Sequence, residues 1–466
     1  MITEEIHTQL SAIVGGENIF IDTETLQLYG SDETENLNFP PAVLVKPATT
    51  QEVADIMKIA SKNAIPVTPI GARTGLSGGA LSTHKGIGLS VERMNTIIEI
   101  DEKNLQLIVQ PGVITEVLQK AVIEKGMYYP PDPSSKGSCF IGGNIAENSG
   151  GPHALKYGVT KDYILNLEVV LANGDIINTG ANTLKNSTGY NLTQLMVGSE
   201  GTLGIITKAV LKLIPYPDKN ILMLVPFFSA TKACEAVSAI FRAGVMPSAI
   251  EFMERDAIDW VMKYVDGITI PVKDEIQAHL LIEVDGNDMD ELFKQAERIN
   301  EVLEKYECDE ILFADTNDQK DALWKMRRRV AEAVKSHSVY KEEDTVVPRY
   351  ELPRLLEGVK AIGKKYNFKS VCYGHAGDGN LHVNIIKGDM SDEDWNTKLP
   401  IGIREIFELT VSLKGTLSGE HGIGLVQKNY MDIAFSPIEL SLMKGIKQLF
   451  DPQNILNPGK IFPDSV

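Results

Sequence analysis

The chain has 466 residues, a formal net charge of −18 at pH 7 and 43% hydrophobic residues. That length accommodates two or three domains with full cores, while the acidity speaks against nucleic acid, whose phosphates require a basic surface. No run reaches the ~18 apolar residues of a spanning helix, and the acidic start Met1-Ile-Thr-Glu-Glu-Ile lacks a basic and apolar leader. The expectation is therefore neither an integral membrane protein nor a signal peptide. The four cysteines, Cys139, Cys234, Cys308 and Cys372, show no CxxC or iron–sulfur spacing. Reduced thiols in the cytoplasm are expected, with peripheral association at a membrane allowed.

In chain order, Thr49-x-x-Glu52 reads as a capping box, followed by Val53, Ile56, Met57 and Ala60 at helical spacing. Strand-like Ile65–Pro69 leads into a first glycine-rich loop, Gly71-Ala-Arg-Thr-Gly-Leu-Ser-Gly-Gly79. Strands near 87–91, 96–100 and 105–110 and a helix near 114–126 come next. A second loop runs from Pro130 to Asn144 and on to Asn148-Ser-Gly-Gly151. Residues 163–179 alternate around the hairpin signal Asn173-Gly174. A third glycine unit, Gly198-Ser-Glu-Gly-Thr-Leu-Gly204, enters the strand Ile205–Leu213, and Pro215 and Pro217 mark a boundary.

Beyond it the pattern predicts strand 221–227, helix 229–243, strands 248–253 and 278–285, helix 289–306 and strand 309–314. This is the β-α-β-β-α-β order of a ferredoxin-like domain. Helices 318–336 and 351–367 precede a hairpin, 369–375 and 381–386, whose turn carries His375 and His382. After Gly415 come Glu420-His421 and a helix signed by Ser436-Pro-x-Glu439.

Neither GxGxxG after a first strand nor GxxxxGK is present, which excludes Rossmann and P-loop readings. The three loops instead offer runs of backbone N–H groups with Ser77, Ser138 and Ser149 as hydroxyl donors, a surface suited to a pyrophosphate. On the hairpin, two imidazoles plus Glu420 form a divalent-metal donor set fitting Zn²⁺, Fe²⁺ or Mn²⁺. Asn384, two residues after His382, shares its strand face.

The loops Pro69–Gly79, Gly142–Gly151 and Gly198–Thr207 resemble the FAD-binding half of the vanillyl-alcohol-oxidase type flavoproteins. The His375–His382 and Ser418–Gly422 segments resemble the FAD-linked D-2-hydroxyacid dehydrogenases within that superfamily, and the likeness extends to Asn454–Lys460. The resemblance implies an α+β fold: a two-part FAD-binding domain, 1–217 with 416–466, around a ferredoxin-like cap, 218–415. It implies noncovalent FAD, because the first loop has Leu76-Ser77 and no histidine for attachment. Carried over by motif, the cofactor contacts are Pro69, Gly71, Arg73, Thr74, Gly75, Leu76, Ser77, Pro131, Asp132, Ser138, Gly142, Gly143, Asn144, Ser149, Gly150, Gly201, Gly204, Ile206 and Asn457. His375, His382 and Glu420 become metal ligands, His421 the base, and Arg327 and Lys341 the contacts to a substrate carboxylate. Arg328 departs from the acidic residue that relatives often carry after this arginine, and Arg328 and Arg329 are expected on a solvated face.

The implied activity is oxidation of a small 2-hydroxy acid, D-lactate to pyruvate first, with glycolate and D-2-hydroxyglutarate as alternatives. The electrons would leave to an electron-transferring flavoprotein, an iron–sulfur subunit or a quinone. A noncatalytic FAD-binding subunit is the reading from another class, and a homodimer is an allowed assembly.

Overall fold

A computed structural model describes residues 2–267, 270 and 272–464. The chain forms two compact units, one of Met1–Gly150, Val159–Tyr216 and Glu420–Val466, the other of Gly151–Gly158 and Pro217–Gly419.

In the first unit, strand Val67–Ile70 runs parallel to Ile87–Ser90, which in turn pairs in parallel with Val43–Val45. Helix Thr50–Lys62 covers them with Val53, Ile56, Met57 and Ala60, all fully buried. Each large side chain so buried contributes about 1.5–3 kcal/mol. The Thr49 hydroxyl accepts from Glu52 N at 3.2 Å, and the Glu52 carboxylate answers at Ala48 N, one residue before the cap, at 2.8 Å. A five-stranded antiparallel sheet follows, in the order Ile97–Asp101, Gln106–Val109, Ile205–Lys212, Ile164–Val170, Ile176–Asn178. Its Asn173-Gly174 turn places Gly174 at φ +85°. The closing helix Pro437–Phe450 has the full Ser436/Glu439 capping box. Near its end, buried Lys447 donates to the carbonyls of Thr202 and Leu456, both at 2.8 Å, stitching the C-terminal segment to the third glycine loop.

The second unit is built on one seven-stranded sheet. Its strands are β1 (Lys219–Phe227), β2 (Ala249–Glu254), β3 (Ala278–Gly286), β4 (Leu312–Phe313), β5 (Tyr340–Val346), β6 (Lys369–Gly374) and β7 (Asn380–Ile386). The spatial order is β4-β1-β3-β2-β6-β7-β5, antiparallel throughout. Strands β1 to β4, with helices Ala230–Arg242 and Met289–Leu303, are the expected ferredoxin-like unit. Pairing of Phe252 with Gly374 then extends the sheet by the histidine hairpin.

Several expectations need correction. Helix 318–336 is two helices, Asn317–Arg328 and Val330–His337, divided at Arg329 (φ −93°, ψ 3°). Helix Arg255–Tyr264 and strand β5 were not anticipated. The sequence of β5, Tyr-Lys-Glu-Glu-Asp-Thr-Val, hides its nature because charges are unusual in a strand; it lies at a sheet edge, where charges are common. The domain bounds shift as well. Residues 151–158 lie in the second unit rather than the first, and the return to the first begins at Glu420 rather than at 416.

Side-chain chemistry accounts for both shifts. In 151–158, His153 pairs with Glu283 at 3.0 Å, Lys156 with Asp285 at 2.5 Å, and Tyr157 donates to Asp285 at 2.8 Å. Glu283 is buried and also accepts from Trp324, Ser248 and Asn220. Downstream, Thr416 bridges to Val346, and Ser418 Oγ and Gly419 N both donate to Asp344 of β5, at 3.0 and 2.9 Å. Among the described residues no helix is long and apolar enough to cross a membrane.

Candidate active site

The first unit brings the three glycine loops together. A Cβ on Gly71 would sit 3.8 Å from the Gly143 Cα, and one on Gly201 would touch Pro69 at 3.1 Å. Gly198 N and Glu200 N donate to the carbonyls of Ile145 and Ala146, both at 2.9 Å. Asn457 Nδ2 donates to Gly79 O at 2.9 Å and to Glu200 O at 2.8 Å, tying the first and third loops to the C-terminal segment.

The residues expected to touch a cofactor separate by geometry. A Cβ on Gly75 or Gly143 would meet nothing within 4 Å, so these two border open space. The Ser77 hydroxyl is buried without a hydrogen-bond partner. Other members are committed to the fold. Gly142 lies so near Pro111 that a Cβ would come within 2.5 Å of the proline Cβ, and Gly204 packs on Val169. Arg73, at φ +61°, stacks on the Tyr29 ring at 4.5 Å and donates to Leu28 O. Asn144 is buried and accepts from Thr115; Ser138 donates to Ser135 O within its own turn. Pro131 O is held by Gln119, Asp132 is buried and 3.9 Å from Lys136, and Ser149 O accepts from Thr160. Ile206 pairs with Val169 inside the sheet. Thr74 and Leu76 are half-buried, and Gly150 is buried at the end of the first segment. An orphaned hydroxyl beside side-chain-free backbone is what a phosphate-bearing cofactor requires, so these loops fit FAD.

On the second unit, His375 and His382 flank a tight 3-10 turn, Ala376–Asp378. Gly379 stands at φ +84°, and a Cβ there would collide with Val347 O; Gly377 leaves room for Leu155. The two imidazoles are buried with centroids 5.4 Å apart, nearly perpendicular at 83°, and bring ring nitrogens within 4.8 Å of one another.

Glu251 of β2, which sequence reading missed, organises this group. Both its oxygens lie 2.9 Å from His375 Nδ1, and Arg327 Nε stands 2.7 Å away. Burial alone would raise its pKa, but His375 and then Arg327 outweigh burial and hold the carboxyl below its ordinary value. An ionised carboxylate there favours the Nδ1–H tautomer and leaves Nε2 of His375 pointing away from Glu251. His382 has Glu342 and Asp344 of β5 at 3.6 and 3.5 Å from Nδ1. These acids were also missed. Cross-strand pairing of Asp344 with His382 and of Glu342 with Asn384 puts all four on one face. The donor chemistry fits a divalent cation.

Arg327 is buried, lies 5.2 Å from the Tyr373 ring, and keeps an Nη2 with no hydrogen-bond partner. Lys341, expected beside the substrate carboxylate, is half-buried on β5 one position before Glu342, and strand alternation sets it on the face away from Glu342, Asp344 and His382. Arg328 is not on a fully solvated face as expected; it is half-buried over Trp324 at 5.5 Å, whereas Arg329 is exposed. Glu420 and His421 open the last segment of the first unit, directly after Gly419 on Asp344.

The fold and loops define a flavin-binding oxidoreductase, and comparison with known proteins agrees. Residues 41–180 match the family of FAD binding domains, and 216–461 match the C-terminal domain of FAD linked oxidases. A glycolate oxidase subunit of Bacillus subtilis is 40% identical over 465 residues, 99% of this chain and 97% of that protein. A D-lactate dehydrogenase of Anaerostipes hadrus is 38% identical, covering 90% of this chain and 89% of that protein. A D-2-hydroxyglutarate dehydrogenase of Stutzerimonas stutzeri is 32% identical, with 97% and 98% covered. The solved p-cresol methylhydroxylase shares the fold, with a TM-score of 0.81 at 19% identity over 98% of this chain and 96% of that chain. The chain belongs to the FAD-linked oxidases, among the FAD-dependent 2-hydroxyacid oxidoreductases.

Proposed function

We propose that this enzyme oxidises a D-2-hydroxy acid, D-lactate before glycolate or D-2-hydroxyglutarate, to the 2-oxo acid. The buried His375–Glu251–Arg327 constellation carries the reading, because it couples an imidazole ligand to the guanidinium suited to a substrate carboxylate. When bound, FAD supplies the hydride acceptor, and a divalent cation supplies the positive charge that acidifies the substrate hydroxyl. His375, His382 and Glu420 hold the cation. Arg327, through the Nη2 that Glu251 leaves over, receives the substrate carboxylate. His421 takes the hydroxyl proton; imidazole titrates near neutral pH, which suits a base working there. Gly75, Gly143 and Ser77 hold the FAD phosphates noncovalently, with Pro69, Gly71, Thr74 and Leu76 alongside.

Reoxidation passes electrons to a partner, an electron-transferring flavoprotein ahead of an iron–sulfur subunit. Relatives bearing the names D-lactate dehydrogenase and glycolate oxidase support the substrate class. The test is anaerobic stopped-flow mixing with D-lactate, L-lactate, glycolate and D-2-hydroxyglutarate. Flavin bleaching fastest with D-lactate is expected, and no bleaching by any hydroxy acid in metal-replete protein overturns the proposal.

A further inference from the structure

The loop that carries His421 continues as Gly422-Ile-Gly-Leu425, and this continuation is held with unusual closeness in the first unit. Ile423 N donates to Glu200 Oε1 at 2.8 Å and Gly424 N to Glu200 Oε2 at 2.6 Å, so one carboxylate grips two successive peptide groups. Leu425 N donates to Ser77 O at 2.8 Å, and Ile461 N to Gly424 O at 2.9 Å. Two glycines make the approach possible. Gly424 stands at φ +50°, where a Cβ would collide with Ser77 O; Gly422 stands at φ +79°, where a Cβ would collide with Glu147. Glu200 belongs to the third flavin loop, is buried, and adopts the left-handed backbone at φ +51°. A non-glycine residue there is strained unless its surroundings hold it.

We infer that Glu200 is a positioning residue, whose carboxylate clamps the backbone just after His421 and so couples the order of the flavin loops to the placement of the base. This role rests on the reading of His421 given above. Both Glu200 oxygens accept an N–H, which the ionised carboxyl does best, and such charge-assisted bonds are about twice as strong as neutral ones. The neighbouring Glu147 differs in its contacts: its Oε2 is buried with no hydrogen-bond partner. Burial first, then Glu200 and Asp32, push its carboxyl well above the ordinary range. Burial, the largest influence, raises the Glu200 carboxyl as well, and the Ile423 and Gly424 amides and then Lys460 offset it only in part. Of two adjacent acids, Glu200 makes the clamp through both oxygens, and Glu147 only fills space beside it.

Glu200→Gln is nearly isosteric but turns an NH₂ group toward one of the two amides. The FAD-loaded wild type, E200Q and E147Q are compared by hydrogen–deuterium exchange of the peptide spanning Ile423 and Gly424, and by flavin bleaching under saturating hydroxy acid. In E200Q we expect exchange there to speed up by about tenfold or more, and the limiting bleaching rate to fall by about tenfold or more, with half-saturating substrate little changed. E147Q should stay within about twofold of wild type in both readings. Unchanged exchange in E200Q removes the clamp, and faster exchange with wild-type bleaching removes the positioning role. Equal effects of E147Q and E200Q overturn the division between the two acids. Should E200Q fail to fold, Glu200→Asp, which keeps both oxygens one methylene short, is read by the same two measurements. A wild type that no hydroxy acid bleaches overturns the function and the positioning role with it, while the exchange readings still decide the clamp.

Discussion

The glycine loops of the first unit and the histidine hairpin of the second are built from opposite materials. In the loops the working groups are peptide atoms, and side chains are mostly withdrawn: Gly75 and Gly143 border open space, while Arg73 and Asn144 are turned into the fold. On the hairpin the working groups are side chains packed against one another: Glu251 between His375 and Arg327 and, beside them, His382 with Glu342 and Asp344. A site of the first kind is sensitive above all to an added methyl. A site of the second kind tolerates small changes of volume but not the loss of one member of a charge set.

Mutations can break or sharpen that contrast, and the largest effect belongs to the base. His421→Ala should lower the rate of flavin bleaching by about 10²–10⁴-fold while FAD and metal content stay at wild-type levels. Full turnover in that variant would withdraw the role. Glu251→Ala tests the charge set, because it strands Arg327 and His375 in a buried environment. A loss of about 3–5 kcal/mol is expected in urea unfolding, together with loss of bound metal on elemental analysis. Chelation of the wild type should suppress bleaching, and added Zn²⁺, Mn²⁺ or Fe²⁺ should restore it; bleaching indifferent to chelator would remove the metal from the scheme.

The loop side is tested by two neighbouring glycines. Gly142→Ala places a methyl against Pro111 and should destabilise the apoprotein by about 1–3 kcal/mol, seen as a lower melting temperature. Gly143→Ala places its methyl in open space within helix Ile141–Glu147, where alanine is favoured over glycine by roughly 0.5–1 kcal/mol. Its apoprotein should be as stable as wild type or slightly more so, yet bind FAD more weakly by fluorescence titration. Unchanged FAD affinity in G143A would show that the space beside Gly143 is not the cofactor's.

The same contrast explains what the sequence disclosed. A backbone site leaves its mark as local runs of glycine, so all three loops were visible as short motifs, and the His375–His382 turn was visible for the same reason. Which glycine faces a ligand and which only packs was not visible, since Gly142 and Gly143 differ through Pro111, thirty-odd residues earlier. Glu251, Glu342 and Asp344 were illegible because a single acid in a strand carries no motif. Only the sheet order brings β2 and β5 to either side of the hairpin. The grip of Glu200 on 423–424 joins positions far apart in sequence and exists only in the folded chain.

The short stretch 151–158 has a practical corollary for anyone wishing to exchange caps between relatives. Its His153, Lys156 and Tyr157 answer Glu283 and Asp285, acids that face inward on β3. A graft of 217–419 alone would therefore carry two buried carboxylates without these partners. Successful chimaeras will have to import this passenger from within the flavin half, so the cap travels as a split cassette with two seams at 150/151 and 158/159 in addition to its own ends.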